Sequence, residues 1–543
     1  MSEARDLPWG DGDRLLRFRA ERSADAAALF GPLPRDAAEL AALVRARTPD
    51  PERRRRALDA LRPAWAALDL PAAARAAAAR LEDPATRIVI AGQQPALWGG
   101  PLLLAVKTLA AIRTAEMLTA AGVPAVALFW IASEDHDVKE LRGGVVAPRL
   151  GPPVPLVPPF EPGRRMLGRL RHRLDPATRL AAIDPLLARS PYGAEWRPRL
   201  ERTLAESPAD EFQSLWIELF GGRGLLPVRP EWLRELGRPV IAAELARPGE
   251  LARHVRTAIA RLAALELPVP IPEPAELPFF RVDDEGERHR LFLEGGEVRI
   301  GGRDGEVRSL AELALEIERR PERASPDALL RPLIQDALLE PAVSILGPTE
   351  LAYHLELADA YAPRGIPRPV LLPRPRLRLV DGDDLRTLER LGLDPGTLSP
   401  GDTAAARFPS PGAARRQREL ARLAEPLVAR LEGWAEEEGL DPALRKRCDR
   451  LVRRLREDFE KLAESLERGA GADVEEERRS LAGILDRMFP LGEEGERSAA
   501  LLGFLAEHGE AGLAAIHRAA EPGDGRLRLV VVAREREVCR DAP

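Results

Sequence analysis

The spacing of apolar positions changes along the chain, and the first 140 residues show two patterns. Up to residue 80, apolar side chains recur at helical spacing, most clearly over residues 36–47 and 51–81. Continuous apolar runs at 87–91 and 123–131 are typical of buried strands, and the helical pattern between them predicts a connecting helix. The pattern therefore predicts a helical lead-in followed by a parallel strand–helix–strand unit.

Shorter apolar runs in the middle of the chain predict a second kind of sheet. Residues 148–162 are dense in proline, which predicts a loop or an extended connector. A short strand is predicted at 224–228, and its proline confines it to an edge or an end of a sheet. Alternating runs with Glu-Gly and Gly-Gly turns at 268–308 predict a small antiparallel insertion. Helical spacing occupies residues 176–188, 194–220 and 231–265.

A second α/β unit follows at residues 325–375. A helix is predicted at 326–339, with Ser325 as its N-cap and Asp327 in its first turn. Because this unit repeats the order of the first, we predict a parallel sheet of at least five strands. Its two strands are predicted at residues 342–346 and 369–372.

Residues 411–489 have almost only charged residues between apolar positions that step by three and four. Two such stretches flank a break at 439–442, and they predict an antiparallel coiled-coil hairpin. A seam of this length predicts a homodimer. The predicted seam consists of Leu420, Leu423, Leu427, Leu431 and Trp434 on one helix and Leu444, Cys448, Leu451, Leu455, Phe459, Leu462 and Leu466 on the other.

These patterns divide the chain into four predicted parts. Residues 1–80 are a helical lead-in that packs on the core, and residues 81–380 are the catalytic core, with an insertion at about 150–310. Residues 381–490 form a helical coiled-coil domain. Residues 491–543 are a C-terminal segment that returns to the core as a helix and a strand.

Composition narrows the class of protein. A chain of 543 residues exceeds one simple core, and its net charge of −6 argues against a nucleic-acid-binding surface. We find no apolar run that approaches the ~20 residues of a membrane-spanning helix and no apolar region typical of a secretory signal at the N-terminus. Two cysteines, Cys448 and Cys539, build no disulfide framework and lack metal-ligand spacing. We therefore expect a cytoplasmic protein without a nucleic-acid or membrane partner.

The turn from Gly92 to Pro101 follows the first predicted strand and meets a helix N-terminus, where backbone amides and the helix dipole favour an anion. Lys107 lies two turns into that helix and is one of four lysines in a chain whose other basic residues are arginines. The turn has neither the dinucleotide-binding nor the P-loop spacing of glycines. It predicts a phosphate site near Lys107. The alternatives are that the turn is only a tight structural turn and that Lys107 is an ordinary surface lysine.

An acidic cluster around one histidine, Glu134-Asp135-His136-Asp137, follows the second strand. At a strand end such a cluster can bind a divalent cation, hold an amine or act as a general base. A histidine between carboxylates tends to keep its proton, which suits an acid or a substrate clamp. The alternative is a capping cluster at a helix that starts at Ser133.

The turn at Gly347 mirrors the first turn. Glu350 and Tyr353 follow it, and Gln335 and Asp336 lie on the preceding helix. Ligands of open α/β sheets bind beyond the carboxyl ends of the strands. We therefore expect both turns to contribute to one pocket.

Several stretches of sequence, taken in order, resemble the family of bacillithiol biosynthesis cysteine-adding enzymes (BshC). They are AGQQPALWGGPLLLAVK, PAVALFWIASEDHDVKEL, LLRPLIQDALLEPAVSILGPTELAYHLEL and PVLLPR, and the resemblance extends to the helical region and to FPLGEEGER at 489–497. It implies an α/β fold: a Rossmann-like parallel-sheet core with connecting insertions, one of them antiparallel β, plus an α-helical antiparallel coiled-coil domain that mediates dimerisation.

The activity implied by the resemblance joins the carboxyl of L-cysteine to the amine of glucosaminyl-malate, which forms an amide in the last step of bacillithiol biosynthesis. After the strand near 224 this chain reads Leu226-Pro227-Val228-Arg229-Pro230, a stretch in which relatives tend to carry an aspartate. We predict a catalytic set of His136, Asp135, Asp137 and Lys107. The predicted substrate- or nucleotide-binding set is Gln93, Gln94, Gly99, Gly100, Glu134, Gln335, Asp336, Gly347, Glu350 and Tyr353, and no metal ligand is assigned.

Amide formation from a free carboxylate requires activation, so we expect ATP as co-substrate, with or without Mg²⁺, and no flavin, NAD or structural zinc. Lys107 and the glycine turn would stabilise phosphate charge, and His136 would move a proton. One alternative is a related ATP-dependent ligase or nucleotidyltransferase acting on another acid and amine. Another is a non-catalytic coiled-coil scaffold with a vestigial core.

Overall fold

A five-stranded parallel sheet forms the centre of the larger of two units into which the chain divides. In the computed structural model, the first unit comprises residues 1–146, 154–378 and 496–543, and the second comprises 147–153 and 379–495. The structure describes residues 4–147, 153–157, 159–403, 411–436, 441–469 and 471–532.

The elements that precede and begin the parallel sheet are mostly helical. They are β1 (Arg5–Asp6), α1 (Arg14–Glu21), α2 (Ala24–Phe30), α3 (Ala37–Arg45), α4 (Pro51–Ala66), α5 (Ala72–Arg80), β2 (Arg87–Gln93), α6 (Leu103–Ala120) and β3 (Ala125–Ile131). The helical spacing over 51–81 corresponds to two helices, because the chain breaks between α4 and α5. Pro71 causes the break, since it lacks an amide hydrogen and disfavours helical geometry at the residue before it.

The middle of the first unit alternates short strands with helices. Its elements are β4 (Val145–Val146), β5 (Val154–Pro155), α7 (Pro176–Leu187), α8 (Gly193–Thr203), α9 (Pro208–Phe220), β6 (Leu226–Val228), α10 (Arg234–Ala246), α11 (Glu250–Ala264), β7 (Phe279–Val282), β8 (Arg288–Glu294), β9 (Glu297–Ile300), β10 (Glu306–Ser309), α12 (Leu310–Arg319) and β11 (Ala324–Pro326). The second α/β unit consists of α13 (Leu330–Leu339), β12 (Val343–Leu346), α14 (Pro348–Glu356) and β13 (Val370–Pro373).

The parallel sheet has the strand order β13-β12-β2-β3-β6, which places β6 at an edge, where its proline removes no ladder bond. β2 and β3 are paired over their full length, from Arg87 opposite Ala125 to Gln93 opposite Ile131. One face packs on α4, α5, α10 and α13. On the other, Phe129 contacts Phe212 and Trp216 of α9. The α/β prediction of at least five strands is confirmed.

A second, antiparallel sheet has the order β10-β9-β8-β7-β11 and extends beyond the predicted insertion. Its last strand contradicts the predicted N-cap at Ser325, because Ser325 pairs with Phe280 in β11. Pro326 keeps the residue before it extended, and α13 begins only at Leu330. Asp327 provides the cap instead, since its Oδ1 accepts hydrogen bonds from the amides of Leu329 (3.0 Å) and Leu330 (2.9 Å).

The second unit is mainly helical. β14 (Arg376–Asp381) leads into it, and its helices are α15 (Gly382–Arg390), α16 (Pro411–Glu436), α17 (Pro442–Gly469) and α18 (Gly471–Met488). α16 and α17 pack against each other, with an ion pair of 2.6 Å between Glu432 and Arg456. The chain then continues through α19 (Gly495–Ser498), α20 (Leu501–Ala519) and β15 (Leu527–Val532), and β15 pairs antiparallel with β1.

The seam between α16 and α17 differs from the predicted one. Val428 and Val452 are buried, whereas six predicted seam residues are largely exposed. Apolar residues at spacings of three and four cover a stripe wider than one seam, so one flank is buried between the helices and the other remains outside. The exposed residues are Leu423, Leu427, Trp434, Leu444, Leu451 and Leu462. Leu466 lies among the side chains that are not described.

Candidate active site

The carboxyl ends of β2, β3 and β12 lie side by side, because these strands are neighbours in one parallel sheet. The loop after β2 begins at Gln94, the loop after β3 contains Glu134 to Asp137, and α14 starts directly after β12. In sheets of this kind, ligands bind at this edge. Most of the predicted site residues lie on these three connections.

Lys107 on α6 is buried and points to the end of β2. Its Nζ donates to the Gly92 carbonyl (2.5 Å), to Gln93 Oε1 (3.3 Å) and to the carboxylate of Glu350 on α14. An ammonium has three hydrogens, and these three acceptors use all of them. Burial lowers the pKa of Lys107, and the Glu350 carboxylate opposes that shift. Lys107 therefore joins β2 to α14 and has no hydrogen left for a further ligand.

A chain of amides continues from Lys107 to the acidic loop. Gln93 Nε2 donates to Gln94 Oε1 (2.8 Å), and Gln94 Nε2 donates to Asp135 Oδ2 (2.9 Å). The ammonium fixes the orientation of the first amide and the carboxylate fixes that of the second. Burial acts to raise the pKa of Asp135, but hydrogen bonds from His136 and Gln94, together with Arg288, hold it well below its usual range.

His136 is held by an arginine from the antiparallel sheet. Arg288 Nη1 lies 3.1 Å from His136 Nδ1, and its Nη2 donates to the Pro326 carbonyl (2.7 Å). The same guanidinium stacks 3.9 Å from the centre of the Phe280 ring. A guanidinium only donates, so Nδ1 accepts, and the ring proton lies on Nε2. With this tautomer His136 presents an Nε2–H donor, and its predicted role as an acid or a substrate clamp stays a prediction.

Glu134 points away from His136 and belongs to a neighbouring wall. Its carboxylate pairs with Arg234 at the start of α10, and Ser325 Oγ lies 3.5 Å from Oε2. Burial raises the pKa of Glu134, and Arg234 offsets this only in part. Ser133 donates to Glu231 (2.6 Å), so it does not cap a helix as the alternative interpretation of the cluster required.

The mirror turn brings Glu350 to Lys107. The Gly347 amide donates to Glu350 Oε2 (2.7 Å), which orients the carboxylate toward the ammonium. Behind this turn, Arg374 forms a buried ion pair of 2.8 Å with Glu496, whose other oxygen accepts from the Leu377 amide (2.8 Å). Glu496 belongs to the FPLGEEGER stretch, so this contact joins two of the motifs recognised in the sequence.

Tyr353 ends a second hydrogen-bonded series. Arg331 donates to the Tyr353 hydroxyl (2.9 Å) and lies 3.5 Å from Gln335 Oε1. Asp336 is fully buried and accepts from Gln335 (3.0 Å) and from the Tyr361 hydroxyl (2.8 Å). Burial raises the pKa of Asp336 to about 6 and that of Tyr353 above its usual range. Because Tyr353 already accepts from Arg331, its own hydrogen is free to donate.

Gly99, Gly100 and Asp137 are not brought into this network. Gly99 and Gly100 have φ of 82° and 72°, and a Cβ on Gly99 would lie 2.7 Å from Leu501. The Gly100 amide donates to Leu97 and the Gly100 carbonyl accepts from Leu501, so the turn packs on α20. Asp137 is exposed and its Oδ1 accepts from the Lys139 amide (3.0 Å). The phosphate role of the turn and the catalytic role of Asp137 stay predictions.

The residues that the sequence did not single out are almost all arginines. Arg234, Arg288, Arg331 and Arg374 each bind a predicted site residue or its neighbour. Because arginine is so common in this chain, the residue type did not mark these positions as parts of a site. Arg331, Arg374 and Glu496 stood in stretches that resemble the family, and that position was the available sign.

A metal site was not predicted, and the structure offers one trio with suitable ligand atoms. Asp283, Glu287 and His289 lie together at the β7–β8 turn, in the part of the chain that is described. His289 Nε2 is 2.7 Å from Asp283 Oδ2, and the Asp283 carboxylate also accepts from the Glu287 amide. The trio is therefore bonded within its own turn. Among the described helices, none has the length and apolar composition to cross a membrane.

Comparison with known proteins identifies relatives over most of the chain. The model of the BshC N-terminal Rossmann-like domain, a family of bacillithiol biosynthesis, matches residues 12–375. Two relatives from different strains of Thermus thermophilus are 32% identical, one over 81% of this chain and 87% of its own, the other over 93% and 99%. A relative from Solibacter usitatus is 28% identical over 80% of this chain and 82% of its own. Each carries the name "Putative cysteine ligase BshC".

Proposed function

The chain belongs to the BshC family of bacillithiol biosynthesis, and we propose that it is a cysteine ligase, which joins the carboxyl of L-cysteine to the amine of glucosaminyl-malate. The product is an amide, and the reaction is the last step of bacillithiol biosynthesis. The observation that supports a catalytic role best is the continuous hydrogen-bonded chain from Lys107 through Gln93 and Gln94 to Asp135. A core without activity has no need to hold these groups in one crevice.

ATP is the proposed source of energy, because a carboxylate is a poor electrophile at neutral pH. A carboxylate oxygen of cysteine bonds to a phosphorus of ATP, which releases ADP or pyrophosphate. The amine then attacks the carbonyl carbon and loses a proton, and phosphate or AMP leaves with that oxygen. The glycine turn does not suit the triphosphate, since its Gly100 amide is bonded within the protein and both glycines are buried. The proposed roles below do not use that turn. Mg²⁺ is expected only as the usual companion of ATP.

The side chains at the sheet edge have separate proposed roles. His136 Nε2 and the Tyr353 hydroxyl donate to substrate oxygens, where negative charge develops in the transition state. Asp135 and Gln94 hold the loop that contains His136. Lys107 and Glu350 hold β2 against α14, which fixes the distance between His136 and Tyr353. Asp137, which is exposed on the same loop, is the carboxylate left for a substrate ammonium.

The test is product analysis with purified protein. L-cysteine, glucosaminyl-malate and ATP should give the cysteinyl amide in mass spectrometry, and omission of ATP should abolish it. His136→Gln keeps a side-chain donor but changes its position, so we expect at least a 100-fold lower rate. Absence of the amide in the complete mixture would overturn the substrate assignment.

A related ligase with another amine is the second candidate, and Arg229 is the observation that favours it. This arginine lines a cavity next to Glu134, so a guanidinium lies beside the predicted substrate-binding residues. Metabolite profiles of a deletion strain distinguish the two candidates. Loss of bacillithiol supports the first, and accumulation of a different amine supports the second.

We also propose a homodimer through the helices of the second unit. The exposed stripe on α16 and α17 contains four leucines and one tryptophan with at least 46% of each residue exposed, besides Leu423 at 72%. Contiguous apolar surface of this kind is typical of interfaces. The stripe is long enough for a paired contact between two copies.

A further inference from the structure

Residues 164–168, which we name the bridging segment, lie against the acidic loop that follows β3. The Leu167 amide donates to the Asp135 carbonyl (2.6 Å), and the next amide, that of Gly168, donates to the Ser133 carbonyl (2.8 Å). Backbone hydrogen bonds do not depend on the charged side chains of the loop. Two consecutive amides of the bridging segment therefore hold the acidic loop by its main chain.

The same segment is bonded to the β7–β8 hairpin on its other side. The Met166 amide donates to the Gly286 carbonyl (2.9 Å), and the Arg164 carbonyl accepts from the Arg288 amide (2.8 Å). Arg288 is the residue whose guanidinium lies 3.1 Å from His136 Nδ1. The bridging segment thus joins the two elements that carry this arginine and this histidine.

The side chain of Leu167 adds a second attachment to the acidic loop. It is fully buried and packs in one cluster with Val138 and Leu141, which belong to the turn that follows the loop. Its amide is bonded to Asp135, one residue before His136. Leu167 therefore holds the loop on both sides of the histidine.

Two glycines permit this close packing. A Cβ on Gly168 would lie 3.1 Å from Ser133 Cβ. Gly286 has a φ of 80°, and a Cβ there would lie 2.7 Å from Arg169 Cγ. The bridging segment therefore approaches both of its neighbours more closely than larger residues at these two positions would allow.

We propose that Leu167 is a positioning residue for the ligase reaction, which holds His136 against the Arg288 guanidinium and so fixes the Nε2–H donor. The proposal rests on the proposed function, in which this donor stabilises charge on a substrate oxygen. The contact of 3.1 Å is near the upper end of the hydrogen-bond range, so a shift of about 0.5 Å between loop and hairpin breaks it. The imidazole is then free to change its tautomer.

Three variants of Leu167 separate the two attachments. Leu167→Ala keeps the amide and loses the apolar contact, whereas Leu167→Pro also loses the amide hydrogen. Proline suits this backbone, because Leu167 begins a 3₁₀ turn and Met166 before it is extended (ψ 139°). Leu167→Met is the conservative variant, which keeps the amide and most of the apolar volume.

The control is Leu61→Ala on α4. Leu61 is also buried, with 1% exposed, but it belongs to a core cluster that contains neither Val138 nor Leu141. Its urea midpoint should fall as it does for Leu167→Ala, because both variants leave a cavity. We expect kcat of Leu61→Ala to stay within about twofold of the parent protein.

The measurements are steady-state kinetics and nitrogen NMR of the full chain labelled in histidine, with His136→Gln to assign the ring signal. We expect kcat of Leu167→Pro to fall at least about tenfold, because a displaced donor no longer meets the reacting oxygen. Leu167→Ala should lose less, Leu167→Met should stay within about twofold, and KM for ATP should change less than about twofold. The ring proton of His136 should be on Nε2 in the parent protein and in Leu61→Ala, and on both sites in a mixture in Leu167→Pro.

The outcomes separate this proposal from the proposed function. A parent-like ring signal and kcat in Leu167→Pro would overturn it while the ligase activity stands. Equal losses of kcat in Leu167→Ala and Leu61→Ala would also overturn it, since Leu167 would then act through stability alone. If no protein forms the amide, the ligase assignment fails, and the ring signal alone decides whether Leu167 positions His136. If Leu167→Pro does not fold, Leu167→Ala decides by the same two measurements.

Discussion

The edge of the parallel sheet and the helices α16 and α17 depart from the usual distribution of side chains in opposite directions. At the sheet edge charged groups are inside, with 1% of Lys107 and 2% of Glu496 exposed. On the helices apolar groups are outside, with 72% of Leu423 and 50% of Trp434 exposed. Buried charges require partners, and large exposed apolar surfaces are rare in isolated soluble proteins.

The two regions resolve this problem differently. At the sheet edge the partners belong to the same unit: Lys107 has Glu350 and two carbonyl oxygens, and Glu496 has Arg374. Within 411–436 and 441–469, the six exposed seam residues stay uncovered by the chain itself. The sheet edge is thus held in place by its own contacts, whereas the exposed apolar residues of the helices support the proposed homodimer.

The largest expected effect follows removal of the buried cation. Lys107→Met leaves Glu350, the Gly92 carbonyl and the Gln93 amide oxygen without their donor. We expect the free energy of unfolding to fall by about 3–5 kcal/mol, as for other buried pairs that lose one partner, and amide formation to be lost. Urea denaturation and the ligation assay measure the two effects.

The matched control is Lys446→Met on α17, where the lysine is exposed. We expect its free energy of unfolding to stay within about 0.5 kcal/mol of the parent protein. Equal losses for the two variants would contradict the contrast between the regions.

Arg288 should affect catalysis more than stability. Arg288→Met removes the donor to His136 Nδ1, so the ring is free to change its tautomer, and we expect kcat to fall about 100-fold. Nitrogen NMR should detect the proton of His136 on Nε2 in the parent protein and a mixture in the variant. Arg288→Lys restores a donor and should recover part of kcat. A parent ring protonated on both nitrogens would contradict the assignment.

The fold was largely predictable from the sequence, and the site only in part. Parallel strands are buried on both faces, so their apolar runs identified β2, β3 and β12 directly. The partner of His136 was not predictable, because Arg288 comes from a strand of the other sheet and ordinary charged residues surround it in sequence. Asp336, which was expected to bind ligand, is buried and accepts from the Tyr361 hydroxyl in the structure, so its ligand role stays a prediction.

The helices show why spacing alone cannot separate a buried seam from an exposed one. Leu427 and Val428 are adjacent, and both fit a pattern of threes and fours. Only the partner helix decides that Val428 is inside. The sequence therefore predicted the pair of helices, whereas six of the predicted seam residues are exposed in the structure and others, such as Leu431 and Leu455, are half-buried.

A buried carboxyl on α14 makes the stability of the core depend on pH. Glu356 accepts a hydrogen bond from the Ile271 amide (3.0 Å), and burial raises its pKa to about 7 from an ordinary 4.5. Because the folded pKa is higher, the neutral carboxyl contributes stability that is complete below pH 4.5 and is lost as pH rises through 7. Glu356→Gln should remove this part of the slope in urea denaturation between pH 4.5 and 8. The exposed Glu285→Gln should retain it, and an unchanged slope in Glu356→Gln would refute the assignment.

The exposed stripe of the helices should control association without a change in the core. Leu427→Ser together with Leu451→Ser should convert a dimer to a monomer in analytical ultracentrifugation, because both side chains are on the outer flank. The free energy of unfolding of the first unit should change by less than about 0.5 kcal/mol. Val428→Ser is the control for the inner flank, and we expect it to loosen the helix pair itself. A parent protein that is monomeric at all concentrations would refute the interface.

The smallest expected effect concerns Asp137, whose carboxylate is exposed, in contrast to the buried charges of the site. Its carboxylate caps the turn at Val138 and contacts none of the other predicted catalytic side chains among the described residues. Exposed charges contribute little because water screens them, so Asp137→Asn should raise KM for the amine only a few-fold and leave kcat nearly unchanged. Asp135→Asn, on the other side of His136 in the sequence, should reduce kcat by at least tenfold, since Gln94 and the His136 amide lose a charged acceptor. If the two variants behave alike in steady-state kinetics, burial does not distinguish the groups that do the chemistry from those that only surround it.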